Sequence, residues 1–196
     1  MPSHVLQYEF YSRHPEIVAR ELLGKTLIST IGGKRTAGKI VETEAYLSSD
    51  DSAAHGFRGK NQKNRSMFGP AGMAYVYPIH AKYCFNTVTE STGAPSAVLI
   101  RALEPVDGLP EMKRRRGVDS VGNLCSGPAK LCQALGIDKQ QDGIKLTTKK
   151  VLWIEDAAIV DRVRSTTRIG VTSASDLELR FVVCESEFAS GPKYMR

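Results

Sequence analysis

The chain is short of several things, and each shortage closes off a class of protein. No run of apolar residues among its 196 positions approaches the length of a bilayer span. The opening stretch, MPSHVLQYEFYSRHPE, holds no apolar core of the kind a secretory leader carries, so a cytoplasmic protein is expected. Cysteine is confined to Cys84, Cys125, Cys132 and Cys184, with no close CxxC pair. That spacing argues against a zinc site and against a disulfide scaffold; reduced, buried thiols and no bound metal are expected. No internal repeat, low-complexity tract or linker divides the sequence, and its length suits one domain with its own core.

What is present in excess is positive charge. Lys and Arg number 27 against 21 Asp and Glu, a formal +6 with a pI near 9.2. The cations gather at RGKNQKNR (58–65) and KRRR (113–116). Either cluster alone reads as a solvated loop or helix face, whereas both in one small domain point towards a polyanion such as nucleic acid.

The punctuation of the chain predicts its elements. HPEIVARELLGK places Pro15 at a first helical position and Gly24 just past the end, with Ile17, Val18, Leu22 and Leu23 as the apolar stripe. KTLISTIGGKRTAGKIVETEAYL reads as two strands about a Gly32-Gly33 turn. Residues 48–72 show no period and read as one long loop, a length that is usually functional or disordered. MAYVYPIHAKYCFNTVT has strand composition interrupted at Pro78-Ile79-His80, and AVLIRALEP reads as a buried strand. GLPEMKRRRG suggests a short basic helix, and CSGPAKLCQALGI a helix opened by Ser126-Gly127-Pro128 and closed by Gly136. VLWIED, RVRSTTRIGV and LELRFVVCE add strands and turns, so the class is α+β.

Three constellations carry chemistry. In VETEAY, strand alternation puts Glu42, Glu44 and Tyr46 on one face. Arg101 sits inside an apolar strand, where an unpaired cation is expensive; either glutamate is a natural partner. Two readings stay open there, a structural ion pair or a carboxylate that holds a water and takes its proton. Tyr75 and Tyr77 share a face and, with Tyr46 and His55, could build either ordinary packing or a slot for a flipped base. Finally, the Ser126-Gly127 helix start with Lys130 offers N–H groups and charge suited to a phosphate.

Taken in order, VETEAY, AAHGFRG, NRSMF, AYVYPIH, LIRALEP, LCSGPAKLCQALGI and RIGV resemble the alkyladenine DNA glycosylases, also called 3-methyladenine or 3-methylpurine DNA glycosylases. The resemblance implies a single α+β domain over residues 1–196. Its curved, mainly antiparallel sheet would be flanked by helices and carry a protruding β-hairpin that inserts into DNA. It implies that Glu44 is the general base, and that Arg101 and the backbone carbonyl near Ile169 help hold the attacking water. Tyr46, His55 and Tyr77 would form the base pocket, with Asn86 excluding ordinary guanine by a clash with its amine and Met67 contacting DNA beside the lesion. The partner implied is double-stranded DNA containing damaged purines, met by a monomer without an obligate protein partner. No metal or organic cofactor is implied.

One departure stands out. The family's hairpin tip carries a tyrosine in a YGM run, whereas this chain reads Ile79-His80-Ala81 and is one residue shorter; the wedge is His80 or Ile79, with His80 preferred. No lysine stands out as an amine nucleophile, so a monofunctional glycosylase leaving an abasic site is expected. The competing readings are a hydrolase or acyl transferase acting on a small substrate, and a damaged-DNA-binding protein without turnover.

Overall fold

The computed structural model describes residues 4–191. Its elements follow one another as a single helical turn α1 (Tyr8–Tyr11), helix α2 (Pro15–Leu22), strands β1 (Thr26–Ser29), β2 (Thr36–Tyr46), β3 (Ala74–Ile79), β4 (Lys82–Thr89) and β5 (Ser96–Asp107), helices α3 (Leu109–Arg116) and α4 (Pro128–Leu135), and strands β6 (Leu152–Glu155), β7 (Val163–Thr166) and β8 (Arg180–Val183). Every paired strand runs antiparallel, in the order β3-β4-β5-β2-β1-β6, and β8 bridges β2 to β7. The result is a curled antiparallel half-barrel with few helices, an α+β domain.

Strand β2 organises the sheet because it changes partner along its length. Residues 36–39 pair with β1, and residues 42–44 pair with β8, while β5 follows the other edge throughout. Along β5 the register steps from Ile40↔Leu103 to Glu42↔Ala102 and then to Thr43↔Ile100. Val41 and Arg101 are thereby left without Cα partners. Such bulges bend the strands and re-aim side chains, and they sit at the two segments that carry Glu42, Glu44 and Arg101.

Strand alternation then divides the sheet into two faces. Val76, Phe85, Val98, Ile100 and Ala45 enter the main core, with Val18, Ala19 and Leu22 of α2 and Leu131 and Leu135 of α4. Thr43 Oγ1 donates to the Ala19 carbonyl at 2.9 Å and fixes α2 to the sheet. Truncating a residue as enclosed as Leu22, which is 0 % exposed, costs about 2–5 kcal/mol. The opposite face carries the row Tyr75–Asn86–Leu99–Glu44–Arg180, residues paired directly across β3, β4, β5, β2 and β8.

Three expectations need correction. Ile17 is 45 % exposed and stands outside the α2 stripe, which runs through Val18, Ala19 and Leu22. Strand β3 is not interrupted at Pro78; pairing continues through Pro78↔Tyr83 and Ile79↔Lys82. Proline is tolerated there because β3 is the sheet edge, where a missing N–H breaks no ladder. Nor is the segment at 48–72 structureless, since it contains a 3-10 turn at Arg65–Phe68. Asn64 staples this segment by donating from Nδ2 to the His55 and Gly59 carbonyls at 2.9 and 3.0 Å.

Candidate active site

On the face opposite the core a cleft of about 440 Å³ opens, within the size range of small-molecule sites. Its walls come from separate parts of the chain. Tyr46 ends β2, Tyr75 and Tyr77 stand on β3, Asn86 and Cys84 on β4, and Arg101 on β5. The loop after β2 adds His55, and the loop after β7 adds residues 169–173.

Glu44 lies under this cleft, 0 % exposed. Its carboxylate accepts the Ile169 amide at 2.7 Å on Oε1 and the Tyr46 hydroxyl at 3.0 Å on Oε2, and pairs ionically with Arg101 Nη1, 3.2 Å from Oε2. All three partners belong to residues that line the cleft. Sequence resemblance assigned Ile169 a role through its carbonyl; in the structure its amide makes the contact to Glu44.

Two residues away, Glu42 is equally buried but differently employed. Oε1 accepts from Arg101 Nε at 2.9 Å, Arg180 Nε at 2.7 Å and Ser190 Oγ at 2.8 Å, and Oε2 accepts from the Ser190 amide at 2.6 Å. Burial alone would push its pKa up. The adjacent Arg101 and Arg180 guanidiniums and the Ser190 amide outweigh that and hold it below the usual carboxylate range. Arg101, 6 % exposed, therefore serves two acids at once.

The aromatic wall is arranged edge to face. The His55 ring lies 4.5 Å from that of Tyr77 at 72° and 6.0 Å from that of Tyr75 at 84°. His55 Nδ1 and the Tyr75 hydroxyl are 2.8 Å apart. His55 is exposed on its outer side, yet contact with the tyrosines strips enough water from the ring to lower its pKa. A neutral imidazole presents one donor and one acceptor. Burial drives the Tyr46 phenol far up, reinforced by the Glu44 charge, so its hydroxyl stays protonated and donates to that carboxylate. Asn86, 3 % exposed, is fixed by its amide donating to the Tyr75 carbonyl at 3.0 Å.

The other expected site residues fall in two groups. Met67 is 2 % exposed and forms part of the cleft wall beside Tyr75 and Ala97 rather than standing at the surface. His80 and Ala81 form the exposed two-residue tip of the β3–β4 hairpin, both with positive φ, 44° and 60°. Without glycine there, the tip holds a conformation that costs an alanine about 1–2 kcal/mol. At the start of α4, Lys130 Nζ donates to Ser126 Oγ at 3.1 Å, Gly127 caps the helix, and Pro128 reaches the cleft.

The two basic clusters prove unequal. On α3, Glu111 binds both Arg114 and Arg115, and Arg115 and Arg116 also donate to the carbonyls of Ala134, Ile31 and Leu124. That cluster is stapled into the protein. Arg58, Lys60, Lys63 and Arg65 are all exposed and make no ion pair among the described residues. Lys60 approaches only the Phe68 ring, at 5.9 Å.

Some participants were not singled out from sequence. Arg168, preceding Ile169 in RIGV, is wholly enclosed and pairs bidentately with Asp51. Arg180 and Ser190 complete the Glu42 cluster. Alternation in LELRFVVCE sets Arg180 on the face of Glu178, opposite Leu177, Leu179 and Phe181, so it gave no signal for the burial of Arg180, and Ser190 had none either. Among the described residues, no helix is long and apolar enough to cross a membrane.

The curled sheet thus sets an acid–arginine pair beneath an aromatic cleft. Residues 9–187 match the family model for methylpurine-DNA glycosylase. Relatives carrying the provisional name 3-methyladenine DNA glycosylase include one from Rhodopirellula baltica, 46% identical over 95% of this chain and 83% of its own. Another from Carboxydothermus hydrogenoformans is 46% identical, covering 95% and 98%, and one from Methanoculleus marisnigri is 47% identical, covering 92% and 96%. The chain is thus a DNA glycosylase. It belongs to the methylpurine-DNA glycosylase family.

Proposed function

We propose that this enzyme receives an alkylated purine, swung out of duplex DNA, in the aromatic cleft and hydrolyses its N-glycosidic bond with a water activated by Glu44. The observation that carries the reading is the Glu44–Arg101 ion pair at the cleft floor, with the Glu44 carboxylate held by Tyr46 and Ile169 of the cleft wall. Water placed there gives its proton to Glu44 while its oxygen bonds to the sugar carbon. The electron pair of the breaking bond leaves with the base. The sugar passes through an oxocarbenium-like state, which the buried carboxylate stabilises by charge. Alkylation at N3 or N7 makes the purine cationic and a ready leaving group, whereas hypoxanthine or ethenoadenine would have to acquire a proton.

Tyr46, His55 and Tyr77 hold the base by stacking and edge contacts, and Asn86, locked by Tyr75, meets the exocyclic amine of an ordinary guanine. His80 at the hairpin tip is the wedge that fills the vacated stack, as apolar or aromatic wedges do in other duplex-bending proteins. The unpaired cations of 58–65, with the Ser126–Lys130 helix start, suit phosphate contacts. The enzyme acts in the cytoplasm as a monomer, leaves an abasic site without strand cleavage, and uses no metal.

Incubation with methylated duplex DNA, followed by chromatography of the released bases, tests this directly. The parent should release 3-methyladenine or 7-methylguanine, unaffected by EDTA, and Glu44→Gln should bind the same DNA but release bases about 10²–10⁴ times more slowly. Full release by the variant would remove Glu44 from its role, and loss of release on chelation would introduce a metal.

A further inference from the structure

Arg168 contacts three backbone segments, and each of them supplies a wall of the cleft. Its Nη1 donates to the Ala45 carbonyl at 3.1 Å, one residue before Tyr46. Its two terminal nitrogens grip Asp51 at 2.6 and 2.7 Å, in the loop that leads to His55. Nη2 also reaches the Ala174 carbonyl at 3.3 Å, closing the loop that carries residues 169–173. The guanidinium lies 4.7 Å from the centroid of the Tyr46 ring, and its side chain is 0 % exposed. Asp51 is 1 % exposed and is itself held by the Leu47 and Ala53 amides at 3.0 and 3.2 Å.

Both hydrogen-bond donors on Glu44 adjoin this node. Tyr46, which donates its hydroxyl, carries the guanidinium over its ring; Ile169, which donates its amide, is the next residue in the chain. We infer that Arg168, held by Asp51, is a positioning residue for the reaction: it sets the Tyr46 ring and the Ile169 amide together, and through them the orientation of the Glu44 carboxylate. The inference rests on the reading of Glu44 as the base.

The chemistry of arginine is needed for this. A planar fork can meet a carboxylate with two parallel bonds while its face stacks on an aromatic ring; lysine, a point charge on a flexible stem, can do neither. Nε is buried without a hydrogen-bond partner. That cost is borne at a site where the remaining nitrogens and the flat face are all engaged, which marks the position as selected for geometry more than for local stability.

The test is single-turnover base release from methylated duplex with the full chain, comparing the parent with Arg168→Lys, Asp51→Asn, Tyr46→Phe and the double Arg168→Lys/Tyr46→Phe. Misplacing a reacting group by about 1 Å can cost about 100-fold. Arg168→Lys should slow release at saturating enzyme by about 10- to 100-fold, while the half-saturating concentration on DNA stays near the parent's. The double variant should be little slower than the slower single, because both act on one carboxylate. Asp51→Asn should slow release in the same way and carries the test if Arg168→Lys does not fold. Multiplicative effects, or variants whose melting temperature falls while release per folded molecule is unchanged, would overturn the inference. Should Glu44→Gln keep turning over, the reading of the base itself would fall instead.

Discussion

Glu42 and Glu44 occupy the same face of the same strand, are both fully enclosed, and both touch Arg101. They differ in where their other partners come from. Glu42 is closed off by Arg180 from the neighbouring strand and by Ser190 from the end of the described chain, neither of which lines the cleft. Glu44 is held by the walls of the cleft themselves. Identical side chains two residues apart are thus distinguished by the origin of their partners: one is bound from behind the cleft, the other from its walls.

The sharpest way to break that contrast is to neutralise each acid in turn. Glu44→Gln should cut base release by about 10²–10⁴, the span of general-base catalysis, with little change in melting temperature. Glu42→Gln should slow release per folded molecule far less, as read by gel-resolved single-turnover assays. Equal losses from both would mean that the two acids act as one unit.

Stability should invert the ranking. Removing the Glu42 charge takes away a carboxylate that Arg101 and Arg180 share, and breaking a buried pair costs about 3–5 kcal/mol; urea unfolding would measure it. The same carboxylate should govern acid sensitivity. Because its folded pKa is depressed, its contribution is fully present above the ordinary carboxylate range and is lost as pH falls through the depressed value, where the unfolded chain has already taken up the proton. Urea midpoints over an acid series should therefore fall more steeply for the parent than for Glu42→Gln. The smallest effect belongs to Ser190→Ala, which removes the hydroxyl that donates to Glu42 and accepts from Arg101 but keeps the amide bond to Oε2, costing about 1.5–3 kcal/mol.

Much of this was legible in the sequence, for reasons that can be named. Period-two alternation in VETEAY and the lone cation in AVLIRALEP brought Glu42, Glu44 and Arg101 together before any coordinates. Helix punctuation by Pro15, Pro128 and Gly136 located α2 and α4. What escaped depends on partners far apart in the chain. Arg180 and Ser190 are 138 and 148 residues from Glu42, and Arg168 is 117 from Asp51, separations across which a single sequence carries no pairing signal. The partners of KRRR escaped for a different reason. Arg114 and Arg115 are bound by Glu111, which helical spacing could have suggested, and Arg115 and Arg116 by backbone carbonyls of other elements, which it could not. Nothing in the composition distinguished it from 58–65.

The long reach from Glu42 to Ser190 has a consequence for how the molecule is made. During synthesis β2 emerges early, carrying two acids destined for the interior, while the residues that seal one of them are added 148 positions later. Contacts of such separation close late, after the loop-closure entropy has been met by nearer ones. The nascent chain therefore carries Glu42 without its most distant partner until Ser190 has been made, and the central strand is incompletely neutralised for that interval.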